Sequence, residues 1–491
     1  MEQASTISSL ESYFDRFRRG IIGHDQKIQT PHGNFPMVYA DWTASGRLYE
    51  PIEEKLRHQF GPFVANTHTE TTTSGTAMTN AYHEARSIIK KHVNAGPDDV
   101  IIFSGTGMTG AVNKFQRLLG LKVPEHLSDR VEIRRDERPV VFVTHMEHHS
   151  NHTSWLETIA EVELIEPDAE GLINLEALEE LLKKHADRRI KIASVTACSN
   201  VTGIRTPYHE VAKMMHRAGG LCFVDFACSA PYVAIDMHPS AEASLDAIFF
   251  SPHKFLGGPG TPGVLIFNKI LYKNTVPDHP GGGTVRWTNP WGNHEYLDDV
   301  EEREDGGTPG FLQAIKTALA IRLKEQMGVD NILNREHELV DLAMRRLSQV
   351  DGLHLLAGKQ RDRLGVISFY IDGLHFNLAV KLLNDRFGIQ TRGGCSCAGT
   401  YGHFLLHVDQ SRSRELTSRI SLGDLSEKPG WVRMSVHPTM TDAELTFICN
   451  AIEQVAMHHA EWKEDYTYNS RTNEYTHRAE QPLAVSDWFS L

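Results

Sequence analysis

The chain has 491 residues, a hydrophobic share of 40%, a charged share of 23% and a formal net charge of −13 at pH 7. This composition is ordinary for a globular protein, and the length suffices for two or three domains. The acidic balance argues against a nucleic-acid partner and against an anionic membrane surface. Six cysteines in so long a chain do not indicate a disulfide framework, and neither a signal peptide nor an apolar stretch of membrane-spanning length is evident. We therefore expect a cytoplasmic protein.

Short β-rich runs alternate with helical patterns through the first two thirds of the chain. These runs are apolar on both faces, which predicts an α/β fold with a mostly parallel sheet covered by helices. Segments 176–186 and 209–218 are predicted as crossover helices. Ligands of such sheets bind at the carboxyl ends of the strands. The clearest strand candidates are residues 100–103, 140–143, 192–195, 221–224 and 263–267.

A smaller α+β domain is predicted to follow. A long helix is expected first, from Pro309 at a first helical position, and a second helix over residues 331–349 opens the small domain. A strand at 366–371 and a helix ending near Gly388 follow. A last helix should open at Thr441, which has capping-box spacing to Glu444. The predicted domain limits are residues 1–38 for an N-terminal segment packing with the small domain, 39–329 for the large domain, 330–462 for the small domain and 463–491 for a polar tail.

Lys254 and Asp225 are the most informative residues of the chain. Each follows an apolar run that reads as a buried strand, Ala247 to Phe250 for the lysine and Leu221 to Val224 for the aspartate. A lysine that can form a Schiff base and an aspartate that can hold a pyridinium proton are what pyridoxal phosphate (PLP) requires from a protein. Together they predict a PLP enzyme, with a PLP-binding large domain.

Two loops after predicted strands carry further candidate residues. The small residues of Ser104 to Gly110 precede a helical run and suit a phosphate held by backbone N–H groups, although an ordinary turn is an equal alternative. The loop from Glu147 to Asn151 offers His148, which could stack on a planar cofactor and move protons. Its alternatives are a polar loop, or a zinc site built from His145, His148, His149 and His152.

Residues 392–399 form a glycine-rich stretch with two thiols, Cys395 and Cys397, beside Arg392. A nearby cation favours a thiolate, which could attack sulfur or another electrophile on a substrate. A disulfide-type switch, a metal site with His403 and His407, and an inert loop are alternatives. Cys198, Cys222, Cys228 and Cys449 lie in apolar stretches and are predicted to be packing residues.

Arg433 closes a short apolar stretch. A guanidinium is the natural holder of an amino-acid carboxylate, and a structural salt bridge is the alternative.

In this order, these residues resemble the class V aminotransferase family, and most of all its cysteine desulfurase branch of the group II (SufS-like) type. The resemblance runs from about Tyr39 to about Met457 and so covers most of the chain. It implies a PLP-dependent transferase fold of type I. Its most specific motifs are Glu147-His148-His149-Ser150-Asn151, Ser199-Asn200-Val201-Thr202-Gly203, Ser251-x-His253-Lys254 and Arg392-x-Gly394-x-x-Cys397.

The resemblance implies a role for each motif residue, with no metal ion at the site. Lys254 would carry the cofactor, Asp225 would hold its pyridine nitrogen, and His148 would stack on the ring. Cys397 would accept sulfur. By the same similarity Asn200 would lie near the 3-oxygen, Met108, Thr109, Ser251 and His253 would cradle the phosphate, Thr284 would reach the phosphate of a partner subunit in a homodimer, and Arg433 with Arg392 would bind the substrate.

Three departures separate the chain from this pattern. Cys228 stands three residues after Asp225, where the family usually has glutamine. Cys395 stands two residues before Cys397, where the family often has histidine, so either thiol could act. The segment 403–428 is longer than in the usual desulfurase and could cover the site or reshape substrate entry.

The predicted function is removal of sulfur from L-cysteine, giving alanine and an enzyme persulfide that a protein could accept. An aminotransferase, a C–S lyase or a racemase-like enzyme acting on another amino acid is the alternative. A PLP-fold protein that serves mainly as a sulfur-relay or binding partner is a third hypothesis, since one fold supports many functions.

Overall fold

The computed structural model describes residues 9–67, 69–480 and 483–490. The chain forms two compact units. The large unit comprises Arg19–Ile22 and Thr43–Asn334, and the small unit comprises Met1–Arg18, Gly23–Trp42 and Arg335–Leu491. The domain limits expected from the sequence stay predictions, and residues 1–8, 481, 482 and 491 of the predicted terminal segments lie outside the described residues.

The helices and strands are numbered in chain order. The helices are α1 (Ser9–Arg18), α2 (Glu50–Lys55), α3 (Thr73–His92), α4 (Gly107–Leu118), α5 (His149–Leu156), α6 (Leu175–Lys184), α7 (Tyr208–Arg217), α8 (Val300–Arg303), α9 (Phe311–Met327), α10 (Val329–Leu347), α11 (Phe376–Phe387), α12 (Gly399–Leu405), α13 (Gln410–Ser421) and α14 (Asp442–Trp462). The strands are β1 (Lys27–Thr30), β2 (Gly33–Pro36), β3 (Val38–Tyr39), β4 (Asp99–Ser104), β5 (Val140–Thr144), β6 (Glu161–Ile165), β7 (Lys191–Thr196), β8 (Leu221–Asp225), β9 (Ala247–Phe250), β10 (Gly263–Asn268), β11 (Val285–Thr288), β12 (His294–Tyr296), β13 (Leu353–Leu355), β14 (Val366–Ile371), β15 (Ile389–Gln390), β16 (Arg392–Gly394), β17 (Trp431–Ser435), β18 (Tyr466–Asn469) and β19 (Glu474–His477). None of the described helices is long and apolar enough to cross a membrane.

A seven-stranded sheet in the order β4-β10-β9-β8-β7-β5-β6 forms the centre of the large unit. Only β10 runs antiparallel to its neighbours in this sheet, so the predicted mostly parallel α/β sheet is confirmed. All five predicted strands are present. The two predicted crossover helices are α6 and α7.

The strands are apolar on both faces because helices cover the sheet. Phe115 of α4 shows this packing: its ring lies 4.8 Å from that of Phe267 in β10 and 5.0 Å from that of Phe223 in β8. All three side chains are fully buried. This packing fixes α4 against the strands and therefore fixes the loop before α4 at the edge of the sheet.

The small unit is built on the antiparallel sheet β13-β14-β17-β16. Helix α11 ends at Phe387 and is capped by Gly388, whose φ of 73° is the left-handed conformation that glycine tolerates best. The predicted capping box of α14 is confirmed, with Thr441 and Glu444 each accepting from the other's backbone N–H. The tail predicted to lack periodicity contains the hairpin β18–β19.

Helix α9, in the large unit, begins at Phe311. Pro309 was predicted at a first helical position, which was wrong by two residues, because Gly310 is the N-cap.

Candidate active site

Asp225 and Lys254 both lie at the carboxyl edge of the large sheet. Asp225 is the last residue of β8, and Lys254 ends a single 3₁₀ turn, Pro252–Lys254, that follows β9 almost at once. Strands β8 and β9 are parallel neighbours. The two residues are therefore brought to the same edge, where ligands of parallel sheets bind.

Asp225 is buried, and its Oδ1 accepts the Ala227 backbone N–H at 2.8 Å. Burial raises the pKa of Asp225 to about 6, against the opposing effects of that hydrogen bond and of the Lys254 charge. A carboxylate in so dry a place is stabilised by a cation beside it, which is what a protonated pyridine nitrogen provides. The site thus suits an aromatic nitrogen base.

The loop before α4 forms a tight cradle together with the segment after β9. Helix α4 begins at Gly107, whose φ is 61°, and the Met108 N–H donates to Ser251 Oγ at 2.8 Å. A Cβ on Gly107 would lie 3.0 Å from that oxygen and 3.8 Å from the His253 ring. The glycine therefore lets this loop approach the segment that carries Lys254.

His253 is a neutral member of the cradle. Burial, and then the charge of Lys254, lower the pKa of His253 to about 4. At neutral pH the ring therefore carries a single N–H donor, which can bind a phosphate oxygen without charge.

A chain of hydrogen bonds links the cradle to His148. Thr109 Oγ1 lies 2.6 Å from Ser150 Oγ, which lies 3.1 Å from His148 Nδ1. The same nitrogen accepts the Ser150 backbone N–H, so His148 is the N-cap of α5. Two hydrogen bonds thus fix the ring orientation. Met108, Thr109, Ser251, His253 and His148 are predicted site residues that the large unit brings together.

Glu147 is a residue to which sequence reasoning gave no role, although it stands in a quoted motif. It is buried, and it accepts from Thr144 Oγ1 at 2.6 Å, Asn151 Nδ2 at 2.8 Å and the Thr196 N–H at 2.9 Å. It therefore ties the ends of β5 and β7 to α5. Burial is the largest cause that raises the pKa of Glu147 to about 7. The sequence signal that could have identified Glu147 is its place directly before His148 in the motif.

Three further predicted positions lie in the large unit. Asn200 is buried, in the loop after β7. The thiol of Cys228 lies 3.7 Å from the Ser199 carbonyl oxygen. Thr284 is buried in its own loop, where its Oγ1 donates to the Gly281 carbonyl at 2.6 Å.

In the small unit, Asp41 joins the two predicted substrate-binding arginines. Its Oδ1 lies 2.8 Å from Arg433 Nη2, and its Oδ2 lies 3.1 Å from Arg392 Nε. Arg392 and Arg433 are directly opposite each other in β16 and β17. Arg433 is buried and Arg392 is exposed. Arg433 therefore makes a salt bridge to Asp41, and the same carboxylate orients both guanidinium groups.

The two loop cysteines follow β16. Cys397 is exposed and Cys395 is half-buried, whereas the four cysteines predicted to be packing residues are buried. Both φ angles of Ser396 and Cys397 are positive, at 51° and 57°. Such values are uncommon for residues other than glycine and mark a strained turn. The predicted nucleophile therefore lies on an exposed, strained loop.

The alternative metal sites of the sequence have no preformed ligand set in the described part of the chain. The described groups of three side chains whose ligand atoms lie within 4.8 Å of one another contain neither His148 nor Cys397. These groups are His32 with Asp465 and His477, and Glu161 with Glu163 and His185.

A comparison of the sequence with models of known protein families identifies one family. The model of the family described as aminotransferase class V matches residues 38–447. The chain therefore belongs to the aminotransferase class V family, whose members are PLP-dependent enzymes.

Within this family, the chain is similar to several proteins named as cysteine desulfurases. A probable cysteine desulfurase of Halalkalibacterium halodurans is 30% identical over 367 residues, which cover 74% of this chain and 84% of the relative. A cysteine desulfurase of Synechococcus elongatus is 28% identical, over 80% of this chain and 61% of its own length. The apo cysteine desulfurase of Thermococcus onnurineus superposes with a TM-score of 0.71 at 24% identity, over 90% of this chain and 98% of that one. A cysteine desulfurase of Escherichia coli gives 0.69 at 22% identity, with the same coverage. The structural matches support the fold.

Proposed function

We propose that the chain is a PLP-dependent cysteine desulfurase that takes sulfur from L-cysteine and releases alanine. The observation that carries the cofactor assignment is the set of groups at one sheet edge. These are an amine on Lys254, a buried carboxylate on Asp225 and a helix N-terminus beside Ser251. The amine suits the aldehyde of PLP, the carboxylate suits its pyridine nitrogen, and the helix N-terminus suits its phosphate.

The proposed residues of the large unit have separate roles in catalysis. Bound PLP supplies an electron sink for charge that develops at the substrate Cα. Asp225 keeps a proton on the ring nitrogen by pairing with it. Lys254 provides the Schiff-base amine and a base that moves a proton at the substrate, and His148, oriented by Ser150, is a second group able to carry a proton.

The residues of the small unit act on the substrate. Arg433, with Arg392, binds the carboxylate of L-cysteine, and Asp41 holds both guanidinium groups. The thiolate of Cys397 attacks the substrate sulfur, so a new S–S bond forms as the C–S bond breaks. L-cysteine and one enzyme thiol thereby become alanine and one enzyme persulfide, with no external oxidant.

The proposal extends to assembly and partners. It includes a homodimer, in which the loop of Thr284 faces a partner subunit, and a protein that accepts the sulfur. It also includes a cytoplasmic location, which the six free cysteines support, because thiols stay reduced there. Light scattering on the cofactor-loaded protein tests the dimer, and a mass of one chain contradicts it.

The proposal is tested by alanine formation from L-cysteine with dithiothreitol present to release sulfide. We expect equal amounts of alanine and sulfide, loss of both in Cys397→Ser, and wild-type rates in Cys449→Ser, which removes a buried thiol. Full turnover on another amino acid in Cys397→Ser would instead establish the aminotransferase, lyase or racemase-like alternative.

A further inference from the structure

Cys395 and Cys397 lie on one closed turn. The Ala398 N–H donates to the Cys395 carbonyl at 2.9 Å, and the two residues between them have positive φ. This is the pattern of a type I′ turn, whose central positions favour glycine and asparagine. In this chain those positions hold Ser396 and Cys397, neither of which is glycine or asparagine. The positive φ angles of these two residues are therefore strained.

The turn is anchored on both sides. Before it, β16 is paired with β17, with Gly394 opposite Trp431. After it, Ala398 is fully buried and α12 begins at the next residue. The two thiols therefore stay near each other. Residues two apart in a turn have Cα atoms at most about 7 Å apart, which overlaps the range that sulfur–sulfur bonding needs.

The two thiols differ in access to solvent. Cys397 is exposed and suits the capture of sulfur, but a persulfide on it is open to any thiol in solution. Cys395 is half-buried, so a persulfide there is less accessible than one on Cys397. Exchange between thiols and S–S bonds depends on such access. The pair thus combines one accessible position with one protected position.

We propose that Cys395 is a second sulfur-carrying residue, which takes the persulfide from Cys397. The Cys395 thiolate attacks the outer sulfur, a new S–S bond forms on Cys395, and the S–S bond on Cys397 breaks. Cys397 leaves as a thiolate and gains the proton that Cys395 lost. No electron is gained or lost overall. The step rests on the proposed function for its sulfur supply, and it frees Cys397 for another turnover.

The first test locates the sulfur after a brief reaction of the cofactor-loaded enzyme with L-cysteine, without reductant. Alkylation and peptide mass spectrometry then identify the persulfide. In the wild type we expect most of the persulfide on Cys395. In Cys395→Ser we expect it on Cys397, and added thiol should remove it from Cys397 at least fivefold faster than it removes the wild-type persulfide from Cys395. In Cys397→Ser we expect none on Cys395. A wild-type persulfide that stays on Cys397 while alanine forms overturns the relay alone. The absence of both alanine and persulfide overturns the proposed function too.

A second test needs neither L-cysteine nor turnover. An aromatic disulfide reagent, 5,5′-dithiobis(2-nitrobenzoate), should react first at exposed Cys397 and release one equivalent of thionitrobenzoate. Attack by Cys395 on the Cys397 sulfur should form a Cys395–Cys397 disulfide and release a second equivalent, at a rate independent of reagent concentration. Cys395→Ser should lose this second phase, and Cys449→Ser should keep it. A second phase that is absent, or that accelerates with reagent concentration, contradicts the premise that the Cys395 thiol reaches sulfur bound at Cys397, on which the relay rests.

Discussion

Asp41 and Arg433 form an ion pair of 2.8 Å between two residues that are 392 positions apart in the sequence. The guanidinium is buried, and a second arginine, Arg392, shares the same carboxylate. Asp41 therefore sets the position of both groups that we assign to the substrate carboxylate. Stability and substrate binding are linked at this residue.

Replacing Asp41 by Asn keeps the size of the side chain and removes its charge. Because a buried arginine is left without its anion, we expect the free energy of unfolding to fall by about 3 kcal/mol. We also expect the KM for L-cysteine to rise about tenfold, with a smaller change in kcat. Denaturant titration and steady-state kinetics measure the two effects. An unchanged KM would show that Asp41 does not position the substrate arginines.

Replacing Gly107 by Ala tests the phosphate cradle. A Cβ there would meet Ser251 Oγ at 3.0 Å, and the φ of 61° is unfavourable for alanine. We expect the dissociation constant for PLP to rise at least tenfold. The matched control is Gly120→Ala, near the other end of α4, where φ is 71° and a Cβ meets nothing within 4 Å. Both variants should lose about 1 kcal/mol of stability from backbone strain, but only Gly107→Ala should lose cofactor. Equal PLP affinity in the two variants would exclude the cradle.

The buried Asp225 predicts a pH dependence of the cofactor-free protein. Its pKa of about 6 exceeds the value of about 3.9 for an unfolded chain, so the native state binds the proton more tightly. The free energy of unfolding should therefore fall as pH rises from about 4 to above 6. We expect Asp225→Asn to be more stable than the wild type by roughly 2–3 kcal/mol at pH 8, with the difference shrinking towards pH 4.

Addition of PLP at pH 8 should reverse that order, because only the aspartate can pair with the ring nitrogen. Thermal unfolding with and without PLP, across this pH range, measures both effects. A difference between the two proteins that does not vary with pH would contradict the burial argument.

Glu147 should be essential for the local structure that presents His148. Its removal takes the carboxylate acceptor from four buried donors, two on Thr144 and one each on Asn151 and Thr196. We expect Glu147→Ala to lose at least about 3 kcal/mol of stability. The control is Glu157→Ala at the exposed C-cap of α5, which should change stability by less than about 0.5 kcal/mol. Similar losses in both variants would mean that Glu147 has no special role.

The large sheet could be predicted from the sequence because its signals are local. Apolar runs mark the strands, and polar residues directly after the runs mark the sheet edge, so Asp225 and Lys254 could be named in advance. The role of Asp41 could not be predicted, since its partner Arg392 lies 351 positions away. The hairpin β18–β19 was missed because each strand is four residues long and contains no aliphatic residue. Its Tyr468 and Tyr475 pair across the hairpin, with ring centroids 4.6 Å apart.

Lys324 is the main alternative to Lys254 as the lysine that forms a Schiff base with PLP. It is buried, burial lowers its pKa to about 7, and its ammonium donates to the Ala230 carbonyl at 2.7 Å. A lysine with so low a pKa is a candidate Schiff-base residue on that ground alone. Its hydrogen bond to a backbone carbonyl gives it a structural role instead.

Reduction of the cofactor-loaded protein with borohydride, followed by peptide mass mapping, decides between the two lysines. Borohydride fixes a Schiff base permanently to the lysine that formed it. We expect the pyridoxyl group on the peptide that contains Lys254, and its loss in Lys254→Ala. A pyridoxyl group on Lys324, or on any other lysine, would contradict the assignment of the active site.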